Sequence, residues 1–584
     1  MKGSNGRPSN IGACFTASSP PNINPQTRPI SPFDHAAKSA KSSDDGHYNA
    51  SDIADFRISA DGQSLILSSR QSLNQAYLAI ATEGRTGYLF DDRYFPIASN
   101  APFVPAPAPK SFTTIDLQTG ASRPATPGEE QSFRGSGEAE PAGTQSVTSN
   151  PLGRRAWTYI DPDGPIPYAV HLAVEGLDQR KLTCAAETCS DIAVGAWWSK
   201  DGQRVRFLRR EGWARGTTAI YEWVPGKDKP RKLYETTDVL FDCKPIGDDL
   251  LCLAEGSVVP RRIVRVDLSK GRQQAVFEPN PEFAGLAKGE VKRLQWTTSF
   301  GVEMFGDLVL PVGFRSGTRY PMIVVQYGSR GFLRGGTGDE YPIQAFANDG
   351  FAVLSIERPR SPAVAPGAKS YADLDKADLT DFIDKRNVLS GIEVGVRKVI
   401  DSGVADGRRI GITGLSDGAT TVQFAGVNST MFAAASMSNC CAEPTQLALL
   451  GPAAARQYEY VGWPALTSAS DSFWSSISWV KNASKIRFPV LLQMADSEYR
   501  SALAAFTALR EVDAPIELRI YPDETHIKWQ PTHRLAIYRR NLDWFAFWLK
   551  DERPQGAAGE IEARQWAKLA APGGQVGASR LRPD

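Results

Sequence analysis

Two hydrophobic rhythms divide the chain. From about Ile53 to Pro279, short apolar runs are broken by turn residues every few positions. Phe56 to Leu67 reads as a strand, an Asp61-Gly62 turn and an apolar return strand. Trp197 to Leu208 repeats the pattern around Asp201-Gly202, and Lys244 to Leu253 repeats it in degraded form around Gly247-Asp248. Asp-Gly between alternating apolar runs is the strongest short-range hairpin signal. Its recurrence predicts stacked four-stranded units, hence an all-β propeller over 51–288, with a two-sheet sandwich as the runner-up.

Beyond residue 289 the runs become continuous. Tyr320–Tyr327, Phe351–Ile356, Arg409–Gly414, Phe488–Ala495 and Ile516–Tyr521 read as apolar runs of the kind expected in central strands buried on both faces. Between them lie helix-like stretches at Val388–Asp401, Tyr499–Glu511 and Thr532–Lys550. Strands alternating with helices predict a doubly wound, mostly parallel α/β sheet over 289–550. Residues 1–50 read as an extended segment, and 551–584 as a short helix followed by a polar tail.

The length of 584 residues agrees with more than one domain. Lys and Arg total 66 against 65 Asp and Glu, a net charge of +1, so no global field steers the chain to nucleic acid or an anionic membrane. No window approaches the ~18 apolar residues of a membrane span. Met1 to Asp34 carries no charged-then-apolar signal pattern, which leaves a cytoplasmic protein or a periplasmic one whose signal has been removed. Cys184 with Cys189, and Cys243 with Cys252, can each bridge a turn in an oxidising compartment or stay reduced, whereas adjacent cysteines such as Cys440 and Cys441 rarely bond each other. No Cys/His cluster has the spacing of a zinc site, so neither metal nor cofactor is expected.

The chemistry centres on Gly414-Leu415-Ser416-Asp417-Gly418, after an apolar strand and before the helix-like Ala419–Val427. In strand–turn–helix context this pattern lifts a serine hydroxyl above a sheet, and glycines flank it because side chains there collide. A serine nucleophile needs a base and an acid, which follow it in chain order in such sites. Of five histidines, His526 and His533 come after Ser416. His526 lies in the loop after the Ile516–Tyr521 run and is the expected base, while His533 opens the last helix in a solvated or capping role. Asp496 and Glu498 both follow the Phe488–Ala495 run, and either can orient the imidazole. The Asp417 amide and the Tyr327 phenol are the candidate oxyanion donors.

Taken together, Tyr320 to Gly328, Gly411 to Gly418 and Tyr521 to His526 resemble the prolyl oligopeptidase family of serine peptidases. Within it, Tyr327 to Pro342 and Ser438 to Pro444 are similar to lasso peptide isopeptidases. The resemblance implies an N-terminal β-propeller before a C-terminal α/β-hydrolase domain. It also implies a bacterial serine hydrolase that opens the isopeptide bond between a threaded peptide's N-terminal amine and an Asp or Glu side chain. A peptidase acting on short linear peptides is the alternative. By the same resemblance Glu498 is preferred over Asp496 as the acid. An isopeptide carbonyl is electronically an ordinary amide, so selectivity must come from shape, which the propeller and the Arg330–Tyr341 loop are expected to supply, with Arg330 and Arg334 as candidate substrate contacts. Dipeptidyl peptidases are not matched, because Glu129-Glu130 sits in a Pro- and Gly-rich stretch read as a loop.

Overall fold

A computed structural model of the chain describes residues 53–570, apart from 60–62, 71–73, 104–109, 135–143, 151–152, 162–163, 165–168, 177–179, 364–367, 369 and 469. The 1–50 segment with His35 and His47, the Asp61-Gly62 turn and the tail from 571 lie outside the described residues. The described residues divide into two compact units, one holding those of 144–448 and from 456 on, the other those of 53–134 with 449–455.

In the smaller unit, Ile53–Ile58, Ser64–Arg70, Lys110–Asp116 and Ser122–Pro124 pair in that order as an antiparallel four-stranded sheet. The helix Pro127–Arg134 follows it and corrects the reading of Glu129-Glu130 as loop. Thr126 and Glu129 form a reciprocal cap there. The Glu129 carboxylate accepts the Thr126 N–H at 2.8 Å and the Thr126 hydroxyl accepts the Glu129 N–H at 3.3 Å. Glu129 also pairs with Arg123 at 2.6 Å, so local partners occupy its carboxylate.

The larger unit opens with three more four-stranded antiparallel sheets, Thr144–Thr183, Ile192–Thr236 and Val239–Phe277, each ordered as a simple meander. Their cores form between successive sheets. Leu172 and Val174 of the first pack with Phe207 and Trp223 of the second, while Leu208 and Ile220 of the second pack with Leu250 and Val264 of the third. Serial stacking of four-stranded meanders is propeller construction, and it excludes a two-sheet sandwich. The sulfurs of Cys184–Cys189 and Cys243–Cys252 are joined; those of adjacent Cys440 and Cys441, expected not to bond, are paired as well.

The chain then enters an eight-stranded sheet. Its strands are β1 (Val291–Thr297), β2 (Glu303–Val309), β3 (Tyr320–Val325), β4 (Ala352–Ile356), β5 (Ala405–Leu415), β6 (Ala434–Ser438), β7 (Val490–Ala495) and β8 (Ile516–Tyr521). The spatial order is β1-β2-β4-β3-β5-β6-β7-β8, parallel from β4 onward. All five runs picked out by hydrophobicity are strands here. Three helices matter for the site: α1 (Ile383–Asp401), α2 (Asp417–Asn428) and α3 (Pro531–Lys550). On one side of the sheet α3 buries Trp544 and Phe545 against Ile323, Val325 and Phe346. The helix Gly556–Leu569 joins that same core through Trp566, fully buried with its ring 5.2 Å from Trp544. Trp566→Ala empties a volume that rigid neighbours cannot refill, and should lower unfolding free energy by about 3–5 kcal/mol in a denaturant titration.

Candidate active site

The end of β5 is where the sequence chemistry becomes geometry. Ser416 takes φ 59° and ψ −118°, a left-handed conformation that a non-glycine residue adopts only under constraint. A Cβ on Gly414 would collide with the backbone of Gly418, so the tight bend requires glycine at 414. The bend is braced from both sides. Gln326 donates to the carbonyls of Thr413 (2.8 Å) and Gly418 (3.3 Å), and the buried Tyr341 hydroxyl donates to the Gly414 carbonyl at 2.7 Å. Ser416 is 1 % exposed, and its Oγ makes no regular hydrogen bond among the described residues.

Parallel pairing brings the remaining parts to the same edge. Leu415 pairs with Ser438, and the Ser416 N–H donates to the Ser438 carbonyl at 3.3 Å, so the serine sits beside the end of β6. The next residue, Asn439, has its Nδ2 3.3 Å from His526 Nδ1. His526 and Ser416 therefore flank the Ser438-Asn439 dipeptide.

Glu498 Oε1 lies 2.7 Å from His526 Nδ1. Asn439 Nδ2 is itself a donor, so the Nδ1 proton belongs to the Glu498 contact, and Nε2 is left as the basic nitrogen. That Nε2 is buried and without a protein partner among the described residues. Burial disfavours the imidazolium, but the Glu498 charge and hydrogen bond outweigh it and raise the His526 pKa above the usual histidine value. Burial likewise pushes Glu498 up, and His526, Lys528 and Asn439 more than reverse that, leaving it ionised. Asp496 does different work. Its Oδ2 accepts the Asp523 N–H at 2.8 Å and ties the two loops together. His533 bonds Glu524 at 2.8 Å, within the turn that leads into α3.

Tyr327 stands two residues beyond β3, its phenol interacting with the hydroxyls of Ser416 and Thr337. Burial, reinforced by the Asp417 charge, raises its pKa above that of a free phenol, so it is a protonated donor at neutral pH. Asp417 begins α2, whose amino end adds partial positive charge beside the serine. Its carboxylate is held by Arg358 Nε at 2.7 Å and by buried Lys385, and Arg358 also pairs with Asp384. Burial alone would raise the Asp417 pKa, but the two cations hold it well below the carboxylate range. The Arg358 N–H also donates to the Tyr327 carbonyl at 3.2 Å, so one arginine touches the backbone or side chain of both candidate oxyanion donors. Sequence reading missed Arg358 and Lys385, which no motif marks, and gave Tyr341 no role beyond its place in the Tyr327–Pro342 stretch.

Arg330, expected to touch the substrate, is held within the protein. Its Nε donates to Glu357 at 2.6 Å, and its two other nitrogens reach the carbonyls of Arg215 and, at 3.3 Å, Ala214. Each guanidinium nitrogen thus has a protein acceptor, and the fork tethers the loop after β3 to Trp213–Arg215, in the turn between two strands of the Ile192–Thr236 meander. Arg334 is half-exposed and commits one nitrogen, to Asp339 at 2.9 Å. Among the described residues, no group of three or more His, Cys, Asp and Glu side chains is arranged to hold a metal ion, and no helix is long and apolar enough to cross a membrane.

Comparison with known proteins agrees with this geometry. The prolyl oligopeptidase family matches residues 380–552. The lasso peptide isopeptidase AtxE2 of Asticcacaulis excentricus is 37 % identical over 526 residues, covering 90 % of this chain and 74 % of its own. A solved AtxE2 structure, a serine-to-alanine variant with Astexin3-dC4 bound, superposes with a TM-score of 0.81 at 37 % identity, covering 88 % of this chain and 78 % of that one. An acylaminoacyl peptidase of Pyrococcus horikoshii shares the fold at a TM-score of 0.56 and 18 % identity, over 88 % of this chain and 84 % of that one. A strained serine at a strand–helix bend, a carboxylate-oriented histidine on the neighbouring loops and these likenesses have one common explanation: the chain belongs to the prolyl oligopeptidase family of serine peptidases.

Proposed function

We propose that this protein is a serine isopeptidase that linearises a threaded lasso peptide. The observation that carries the reading is the likeness to AtxE2 along 90 % of the chain, meanders included, where the wider family offers only a shared fold. Ser416 Oγ attacks the isopeptide carbonyl while His526 Nε2 takes its proton, and Glu498 holds the ring in the required tautomer. The oxyanion is received by the Tyr327 hydroxyl and the Asp417 N–H. His526 then protonates the leaving α-amine. The acyl-enzyme is an ester between Ser416 and the former ring side chain, and water resolves it to a free carboxylate and the serine.

An isopeptide carbonyl has the electronics of any amide, so selection rests on shape. The test follows from that. Incubated with a lasso peptide, the protein should yield one product heavier by a single water and unthreaded, while linear peptides of the same sequence stay intact. Cleavage of the linear peptides with the lasso untouched would leave a family peptidase of another specificity. Tyr327→Phe keeps the ring and removes the donor. It should lower kcat by about 10²–10³-fold with little change in KM, measured by steady-state kinetics.

A further inference from the structure

Next to the oxyanion side of the site lies a cavity of about 370 Å³. One wall is the loop after β3, from Gly328 to Asp339, and the other includes Glu255 and Arg261 from the third meander of this unit. The loop wall adjoins the reacting centre. Thr337 lines the cavity and interacts with the Tyr327 phenol, and Gly338 beside it is so close to Leu415 that an added Cβ would lie 2.9 Å from its Cδ1.

The charged groups lining this cavity are unevenly satisfied. Glu255 accepts from Arg261 Nε (2.8 Å) and from the Phe332 N–H (3.2 Å). Glu357 accepts from Arg330 Nε (2.6 Å) and from the Ser329 N–H (2.9 Å). Asp339 takes one Arg334 nitrogen at 2.9 Å. Every nitrogen of Arg330 has a protein acceptor, as described above. Arg261 and Arg334 are not so fully paired. Each gives one nitrogen to a carboxylate and lies over an aromatic ring, Arg261 4.4 Å from the Phe241 centroid and Arg334 5.6 Å from that of Phe332. Their other N–H groups find no protein acceptor among the described residues, and both side chains are half-exposed, at 50 % and 45 %. Each lining carboxylate already has a cationic partner, whereas Arg261 and Arg334 keep N–H groups for a ligand, so the cavity can take an anion.

We infer that this cavity is a subsite for a carboxylate of the peptide substrate, held by Arg261 and Arg334 beside the bond that Ser416 attacks. The inference rests on the proposed function and adds a chemical requirement to it. Two sources supply the group, the peptide's C-terminus and an acidic side chain outside the isopeptide bond. A planar carboxylate suits the guanidinium fork, and a charge-assisted pair of this kind contributes about tenfold or more in affinity.

Kinetics on three forms of one lasso peptide test this: unmodified, C-terminally amidated, and with its free Asp and Glu residues changed to Asn and Gln. For the wild-type protein, KM should rise about tenfold with whichever form loses the bound carboxylate, at unchanged kcat. Arg334→Gln and Arg261→Gln should each raise KM for the unmodified peptide and add little for the neutralised form. Binding to Ser416→Ala protein, followed by calorimetry, should show the same order without turnover. Equal KM for all three forms, or arginine variants that lose equally on charged and neutralised peptide, overturns the subsite while leaving the isopeptidase reading intact. A wild-type protein that opens none of the three overturns that reading instead.

Discussion

Ser416→Ala should abolish turnover while leaving peptide binding close to wild type. Losses of about four to six orders of magnitude accompany removal of a nucleophilic serine that acts as one unit with its base. The structure makes the variant a clean one. The Ser416 Oγ has no regular hydrogen bond to forfeit, and the bend is held by the Ser416 backbone, by Gln326 and by Tyr341 rather than by the hydroxyl. The variant should therefore fold and melt like the wild type. Steady-state kinetics with calorimetry of binding separates the two readouts, and retained turnover in a clean preparation removes Ser416 as nucleophile.

Glu498→Ala should cost about four orders of magnitude in kcat, and Asp496→Ala far less. Glu498 contacts His526 Nδ1, whereas the Asp496 carboxylate accepts the Asp523 N–H on the neighbouring loop. The pH dependence distinguishes a charge partner from a merely structural one. His526 must be neutral to accept the serine proton, and its pKa is raised, so kcat/KM should climb with pH through a value above that of an ordinary histidine. Without Glu498, burial and the nearby Lys528 both disfavour the imidazolium against the weaker pull of Glu340, so the residual activity should climb at lower pH. If Asp496→Ala is the crippled variant and Glu498→Ala nearly normal, the acid has been misassigned.

Much of this was readable from the chain, and the failures have physical causes. The bend at Ser416 is specified by residues within two positions of one another, so a pentapeptide with its flanking rhythm was enough. The interior strands β3, β4, β5 and β7 announced themselves because burial on both faces demands apolar runs, whereas β8 is the edge strand, part-buried, with Glu517 and Arg519 alternating with its apolar residues. β6 did not, for Ala434 to Ser438 is buried by small residues that carry no hydrophobic run. β1, with Lys292, Arg293 and Gln295 among its apolar positions, also lacks one. Glu498 and Asp496 lie in one short loop and differ only in what tertiary structure sets opposite them; resemblance, not spacing, separated them. The Arg358–Asp417–Lys385 contacts join residues 59 and 32 positions apart, beyond the reach of any local pattern. Glu129-Glu130 was read as loop from its Pro and Gly neighbours, yet Pro127 and Gly128 occupy the first helical turn, where missing donors and backbone freedom cost least, and Thr126 caps it.

The claim on which the chemistry depends is that Ser416 is activated by His526. Treatment with a fluorophosphonate, followed by peptide mapping, tests it without any knowledge of the peptide substrate. Expected is a single adduct on Ser416, formed faster as pH rises through the His526 titration, absent from Ser416→Ala and slowed by orders of magnitude in His526→Ala. An adduct on another residue, or labelling of Ser416 that proceeds undiminished without the imidazole, is incompatible with the mechanism.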